Sequence, residues 1–327
     1  MPPSGVHTDR IARRHQFNRR AHVAASTGSH ERAGGITRRF PASGNIGVDS
    51  AGKVQPFHSW VVNLLPWLDR HDLFDKWNFN VPQNSPENRR WANIHASVLA
   101  CPSDLTVVGQ GDLSYVVNGG FGWTAVSAAG VGDCPVAPDL KPLDLNGNGV
   151  TCPANPVADG KPSDKDLYFQ TGLFFIESWH MPGTVRHHTL DDVVDGLSHT
   201  IMLTENVRAG YDPYFLDVNW ADPDPRRNSF FVSFAVCQGG SCSAGNVDYK
   251  RANHGPEAIN AGLDRPEGEA PWPSSYHVGG VNVLFGDGRV KLVSQTIAGA
   301  VYAALVSPQG SRIQGPLAQR PPSDSEY

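Results

Sequence analysis

Val281-Asn282-Val283-Leu284-Phe285-Gly286-Asp287-Gly288-Arg289-Val290-Lys291-Leu292-Val293 decides how this chain folds. Val281 to Phe285 is rich in β-branched and aromatic residues, Gly286-Asp287-Gly288 interrupts it, and Arg289 to Val293 alternates polar and apolar residues. Asp-Gly between two such runs is a hairpin signal, because both central residues can take positive φ. Strand alternation places Val290 and Leu292 on one face and Arg289 and Lys291 on the other. Upstream, His277-Val278-Gly279-Gly280 leads into the first strand.

Other strands are expected at Ile94–Leu99, Leu113–Asn118, Leu173–Ile176, Thr200–Glu205 and Asn228–Cys237. His58–Trp77 is the main helix candidate, with Trp60, Leu64, Leu65 and Leu68 on one face and a break at Pro66. Ile297–Leu305 is a short Ala-rich helix. Strands outnumber helices and are joined by turns rather than crossover helices. The expected class is α+β, an antiparallel sheet packed against one or two helices. Residues 1–45 read as a basic, disordered leader, with eight arginines before residue 40. Within the leader's end, 41–56 is Gly/Ser/Pro linker; 46–307 is the folded domain, 124–170 a loop insertion, and 308–327 a disordered tail.

The 327 residues carry 39% hydrophobic and 18% charged residues, with 34 glycines and 26 prolines, which suits a loop-rich β domain. A net charge of −5 gives no reason to expect nucleic acid as a partner. No apolar run approaches the ~18 residues of a membrane span.

The segments around the hairpin carry a resemblance. His277 and Asp287-Gly288, with nine residues between them, are similar to the signature of the bacterial prepilin-type processing-associated H-X9-DG proteins. This pilin-like group is catalogued as a domain of unknown function and sometimes labelled solute-binding. Trp60 to Leu68 resembles its early "LLPYLE" helix, Leu99-Ala100-Cys101-Pro102-Ser103-Asp104 its "CPSD" element, and Asp191 to Ile201 its "DITDGTSNT" stretch, followed here by Glu205. His277, Gly279, Gly280, Asn282, Asp287 and Gly288 are the motif positions of the last segment. The resemblance implies a non-enzymatic pseudopilin-like subunit, or a protein exported by a type II secretion or type IV pilus-like route. Its partners would be other pilin-like subunits, and its location the cell envelope or extracellular space. Family members begin with an apolar anchor helix ending in a run like "AREAARRxQC". Ala12-Arg13-Arg14-His15-Gln16 resembles that end, with Phe17 where the family has Cys. The sequence is accordingly expected to derive from a truncated or anchorless member, with any membrane contact depending on the missing helix.

Alternatives rest on side-chain chemistry. A carbohydrate- or solute-binding module would present two or more exposed tryptophans. A metal-dependent hydrolase would gather three of His180, His187, His188, His199 and Glu205. Asp144, Asn146, Asn148 and Gly149 match the first half of a calcium loop, but Asn155 stands where the bidentate Glu belongs. Calcium is therefore a candidate cofactor, with an Asx/Gly turn as the alternative. Cys134 with Cys152, and Cys237 with Cys242, bracket loops that disulfides could close; free thiols of a cytosolic protein are the other reading. Cys101 is left over. Asp287 reads as a turn former, and His277 as a hydrogen-bonding residue at the Gly279-Gly280 bend.

Overall fold

A computed structural model describes residues 39–48, 52–127, 130–137, 141–152, 162–178, 188–212, 218–237 and 247–327. The architecture is α+β. Its centre is a five-stranded sheet in the order β10-β9-β7-β3-β8, formed by Val290–Ser294, Gly280–Phe285, Ile201–Glu205, Tyr115–Gly120 and Ser229–Phe231. Every residue of β7 is buried, as its central place demands. The pairings are antiparallel except at the β8 edge, which joins β3 in parallel.

Two smaller sheets flank this one. Gly44–Val48 (β1) pairs antiparallel with Val54–Ser59 (β2) and parallel with Ile176–Ser178 (β6). Trp123–Ser127 (β4) and Gly130–Val136 (β5) form a hairpin. The expected linker 41–56 thus contributes to two paired strands, and the leader's last residues are inside the fold, with Phe40 and Asn45 buried. Gly/Pro content in this segment reflects close packing rather than disorder: a Cβ on Gly47 would lie 2.5 Å from the Phe57 ring. The expected loop insertion 124–170 holds the β4–β5 hairpin and a helix, Asp164–Thr171, capped by the Ser163 side chain.

The expected helix 58–77 is shorter and broken. His58 belongs to β2, the Ser59 side chain caps a helix over Trp60–Leu64, and Pro66 opens a 3-10 turn over Leu65–Leu68. A missing N–H fits the first turn, where that donor has no helical partner. His71–Phe74 resumes the helix. The expected strand at Ile94–Leu99 does not form, Ile94 making one isolated bridge to Gln110, and of the expected strand Asn228–Cys237 only Ser229–Phe231 forms, with Phe234–Val236 a 3-10 turn. Gly299–Val306 is the Ala-rich helix, one residue or two off its expected bounds. Asn118 ties it to the sheet, its amide donating to the carbonyls of Ile201 and Val306, both at 2.7 Å.

The hairpin forms, with a different turn. Phe285 pairs with Arg289 around a three-residue loop, Gly288 has φ of 86°, and Asp287 has negative φ. That is the three-residue hairpin with a left-handed glycine at its third position. Asp287 accepts a 2.9 Å hydrogen bond from the Arg289 amide, which supports its reading as a turn former. Gly280 is required for a separate reason: a Cβ there would sit 2.0 Å from the Val293 carbonyl oxygen of β10.

Residues 308–327 are not a disordered tail. Asp195 grips them, its amide donating to the Pro308 carbonyl and its carboxylate accepting from the Ser311 amide and hydroxyl. Ile313 and Leu317 are buried in the core. The Tyr327 ring lies on Phe285, beneath Arg289 and Lys291, and Lys291 Nζ donates to its main-chain oxygen. So Arg289 and Lys291 share the covered face, while Val290 and Leu292 are 37% and 49% exposed on the other. Among the described residues no helix is long and apolar enough to cross a membrane.

Candidate functional site

Three segments that are far apart in sequence meet at one end of the central sheet. Cys101 starts a turn in which the Asp104 amide donates to its carbonyl. Asp104 holds that turn against β3 by accepting from the Ser114 hydroxyl at 2.6 Å. Glu205 is the last residue of β7, opposite Tyr115 of β3. His277 lies in the loop before β9, folded back by the Ser275 hydroxyl, which accepts from the His277 amide and donates to the Gly280 carbonyl.

Their functional atoms converge. His277 Nε2 is 3.0 Å from Glu205 Oε1, and Cys101 Sγ is 3.5 Å from each of them. The other carboxylate oxygen, Oε2, accepts from both the backbone amide and the side-chain amide of Asn282, each at 2.9 Å. The strand register creates this arrangement, since Thr204 pairs with Val283 and so sets Glu205 beside Asn282. Cys101 and Glu205 are buried, and His277 is partly exposed. Burial alone would push the Glu205 carboxyl up. The hydrogen bonds from His277 and Asn282 and the neighbouring imidazole outweigh that, and its pKa falls below the ordinary value.

Asp104 is pushed up by its own burial, against hydrogen bonds from Ser114 and Thr106. Glu267, 3.6 Å from Arg208, is raised to about 8 by burial and by the nearby Asp104 and Asp212, opposed by Arg208.

Of the motif residues, His277, Gly280 and Asn282 belong to this site. Gly279 supplies a left-handed bend with φ of 83° in open space, and Asp287 and Gly288 stand at the far end of β9. The His277 ring nitrogen Nε2 has both Glu205 and Cys101 within hydrogen-bonding reach. Cys101, left over in the sequence, is a free, buried thiol within this site.

The histidine cluster considered for a hydrolase is dispersed among the residues described. His188 contacts the Phe169 carbonyl, His199 the Tyr327 hydroxyl, and Glu205 has gone to His277. His180 and His187 lie outside the described residues. Nor does a tryptophan platform form among them: Trp60, Trp77, Trp123, Trp220 and Trp272 are buried, and Trp67 and Trp91 are half-buried against the core.

In the candidate calcium loop, the Asp144 carboxylate accepts from the amides of Asn148 and Gly149 at 3.1 and 2.7 Å. The Asn146 side-chain oxygen also accepts from the Asn148 amide. Asp164, which sequence reasoning did not single out, takes the amides of Asn146 and Cys152. Burial and the proximity of Asp144 raise its pKa. Cys134 and Cys152 are joined by a disulfide. Cys237 is disulfide-bonded as well, and Cys242 lies outside the described residues.

A family model described as "Protein of unknown function (DUF1559)" matches residues 35–300. No curated protein and no solved structure matches the chain.

Proposed function

For a chain that belongs to the DUF1559 family, we propose a non-enzymatic role as a pilin-like envelope subunit that associates through the edge of its central sheet. The observation that carries this reading is strand β10. It stands at the sheet edge with Val290 and Leu292 exposed on one face, and Val278 is 96% exposed in the neighbouring loop. An open edge with apolar side chains is a template for another chain unless something covers it. The Cys134–Cys152 disulfide supports an oxidising, extracytoplasmic compartment.

Two measurements in the native cell test the proposal. Thiol blocking before lysis is expected to find Cys134 and Cys152 oxidised; reduced thiols at both would overturn the compartment. A photo-crosslinking residue at position 292 is expected to capture pilin-like subunits or a second copy of the chain, and to lose them when Val290 is replaced by Asp. An uncrosslinked monomer would overturn the assembly role.

The same reading includes calcium on Asp144, Asn146 and Asn148, with Asp164 in place of the missing Glu, ordering the segment that the disulfide closes. Carboxylate oxygens that accept amide hydrogen bonds keep further lone pairs for an ion. Calcium is expected to slow proteolysis of the wild type and leave Asp144→Ala unprotected; equal cleavage rates with and without calcium would remove the ion from the proposal.

A further inference from the structure

We propose that Cys101, Glu205 and His277 form a binding site for a zinc-class divalent ion, with three protein donors and a fourth position left for an exchangeable ligand. The argument is geometric. Tetrahedral zinc places its donors at about 2.3 Å for thiolate sulfur and about 2.0–2.1 Å for imidazole nitrogen and carboxylate oxygen, so donor pairs around one ion stand about 3.3–3.6 Å apart. Here the sulfur–nitrogen and sulfur–oxygen separations are both 3.5 Å, and the nitrogen–oxygen separation is 3.0 Å. Only the last gap must widen, by about 0.3 Å, to admit zinc.

Chemistry and support point the same way. Sulfur, imidazole and carboxylate together suit zinc better than calcium or magnesium, which take oxygen donors. A thiolate, a carboxylate and a neutral imidazole cancel the ion's two charges, so the filled site is neutral where Cys101 and Glu205 are buried. Binding releases the Cys101 proton to solvent, because the thiolate is the ligand, and His277 takes the tautomer with its proton on Nδ1, so that Nε2 gives up its hydrogen bond to Glu205 and ligates. Glu205 is oriented from behind by the two Asn282 hydrogen bonds, the arrangement that fixes a ligating carboxylate. Of the three donors His277 has the greatest exposure, its side chain 18% accessible against 2% for Glu205, so a fourth ligand enters from its side.

The full chain, stripped with a chelator under conditions that leave its disulfides intact, is to be loaded with zinc(II) or cobalt(II) alone. One zinc per chain is expected after gel filtration. The cobalt form is expected to show sulfur-to-metal charge-transfer absorption that is absent in Cys101→Ser. In His277→Gln affinity is expected to fall by at least about tenfold. Circular dichroism reports whether each variant is folded. Zinc uptake unchanged in folded Cys101→Ser would overturn the site and mark an adventitious ion. If both variants unfold, the wild-type cobalt spectrum decides: a thiolate band supports the site, and its absence overturns it.

Discussion

Glu205→Leu is expected to lower the free energy of unfolding by about 3 kcal/mol or more at neutral pH, because it leaves several donors around a buried position without their acceptor. Glu205 is 1% exposed and serves several groups at once. It accepts from His277 on one oxygen and from both Asn282 donors on the other. Leucine of similar size would leave two amide donors and a partly buried imidazole without their acceptor, and each orphaned donor costs about 1–3 kcal/mol. Glu205→Gln keeps the shape and one acceptor oxygen, so its loss should be smaller.

The pH dependence has a definite sign. The folded carboxyl has a pKa lowered from 4.5, so its contribution is fully present above that value and disappears as pH falls through the folded pKa. Denaturation midpoints measured from neutral to strongly acid pH should therefore fall more steeply in the wild type than in Glu205→Gln. Parallel curves would mean that the carboxylate is not held by this network.

How much of this site was legible in the sequence depends on the level considered. All three converging donors lay in segments quoted for the family resemblance: Cys101 in Cys-Pro-Ser-Asp, Glu205 after the Asp191–Ile201 stretch, and His277 at the head of the last motif. What the sequence could not supply was their meeting. Cys101 and His277 are separated by 176 positions, Glu205 and His277 by 72, and the β7–β9 and β3–β7 registers together close the gaps. Taken alone, Cys101 reads as an unpaired residue, and Glu205 falls into a histidine-rich neighbourhood whose described members, His188 and His199, lie with other partners. Strands β7 and β9 were readable because β-branched and aromatic runs favour strands locally. β1 and β2 were hidden because Gly44 and Gly47 serve tight packing, against Pro223 and Phe57, in residues that resemble a linker. The tail was misread for a related reason. Its Pro/Ser/Gly composition says little about Asp195, whose carboxylate supplies the partners that hold Ser311 in place.

The largest purely structural effect should come from Trp220→Ala, about 3–5 kcal/mol. Trp220 is fully buried and packs 5.9 Å from Trp77, between centroids, so its loss opens a cavity where surrounding strands and turns cannot readily collapse. The indole N–H donates to the Ile94 carbonyl at 2.9 Å, and the Trp220 backbone links Gly111 to Ser59. One residue thus fastens three segments, the 93–111 loop, the end of β2 and the stretch entering β8, and its side chain contributes the bond to Ile94 and the packing on Trp77. Trp220→Phe separates the two contributions. Phenylalanine fills most of the volume but leaves the Ile94 carbonyl without its donor, so it should cost about 1–3 kcal/mol. Urea unfolding of both variants gives the comparison. A Trp220→Ala loss no larger than that of Trp220→Phe would mean that the hydrogen bond, and not the packing of the indole, holds these segments together.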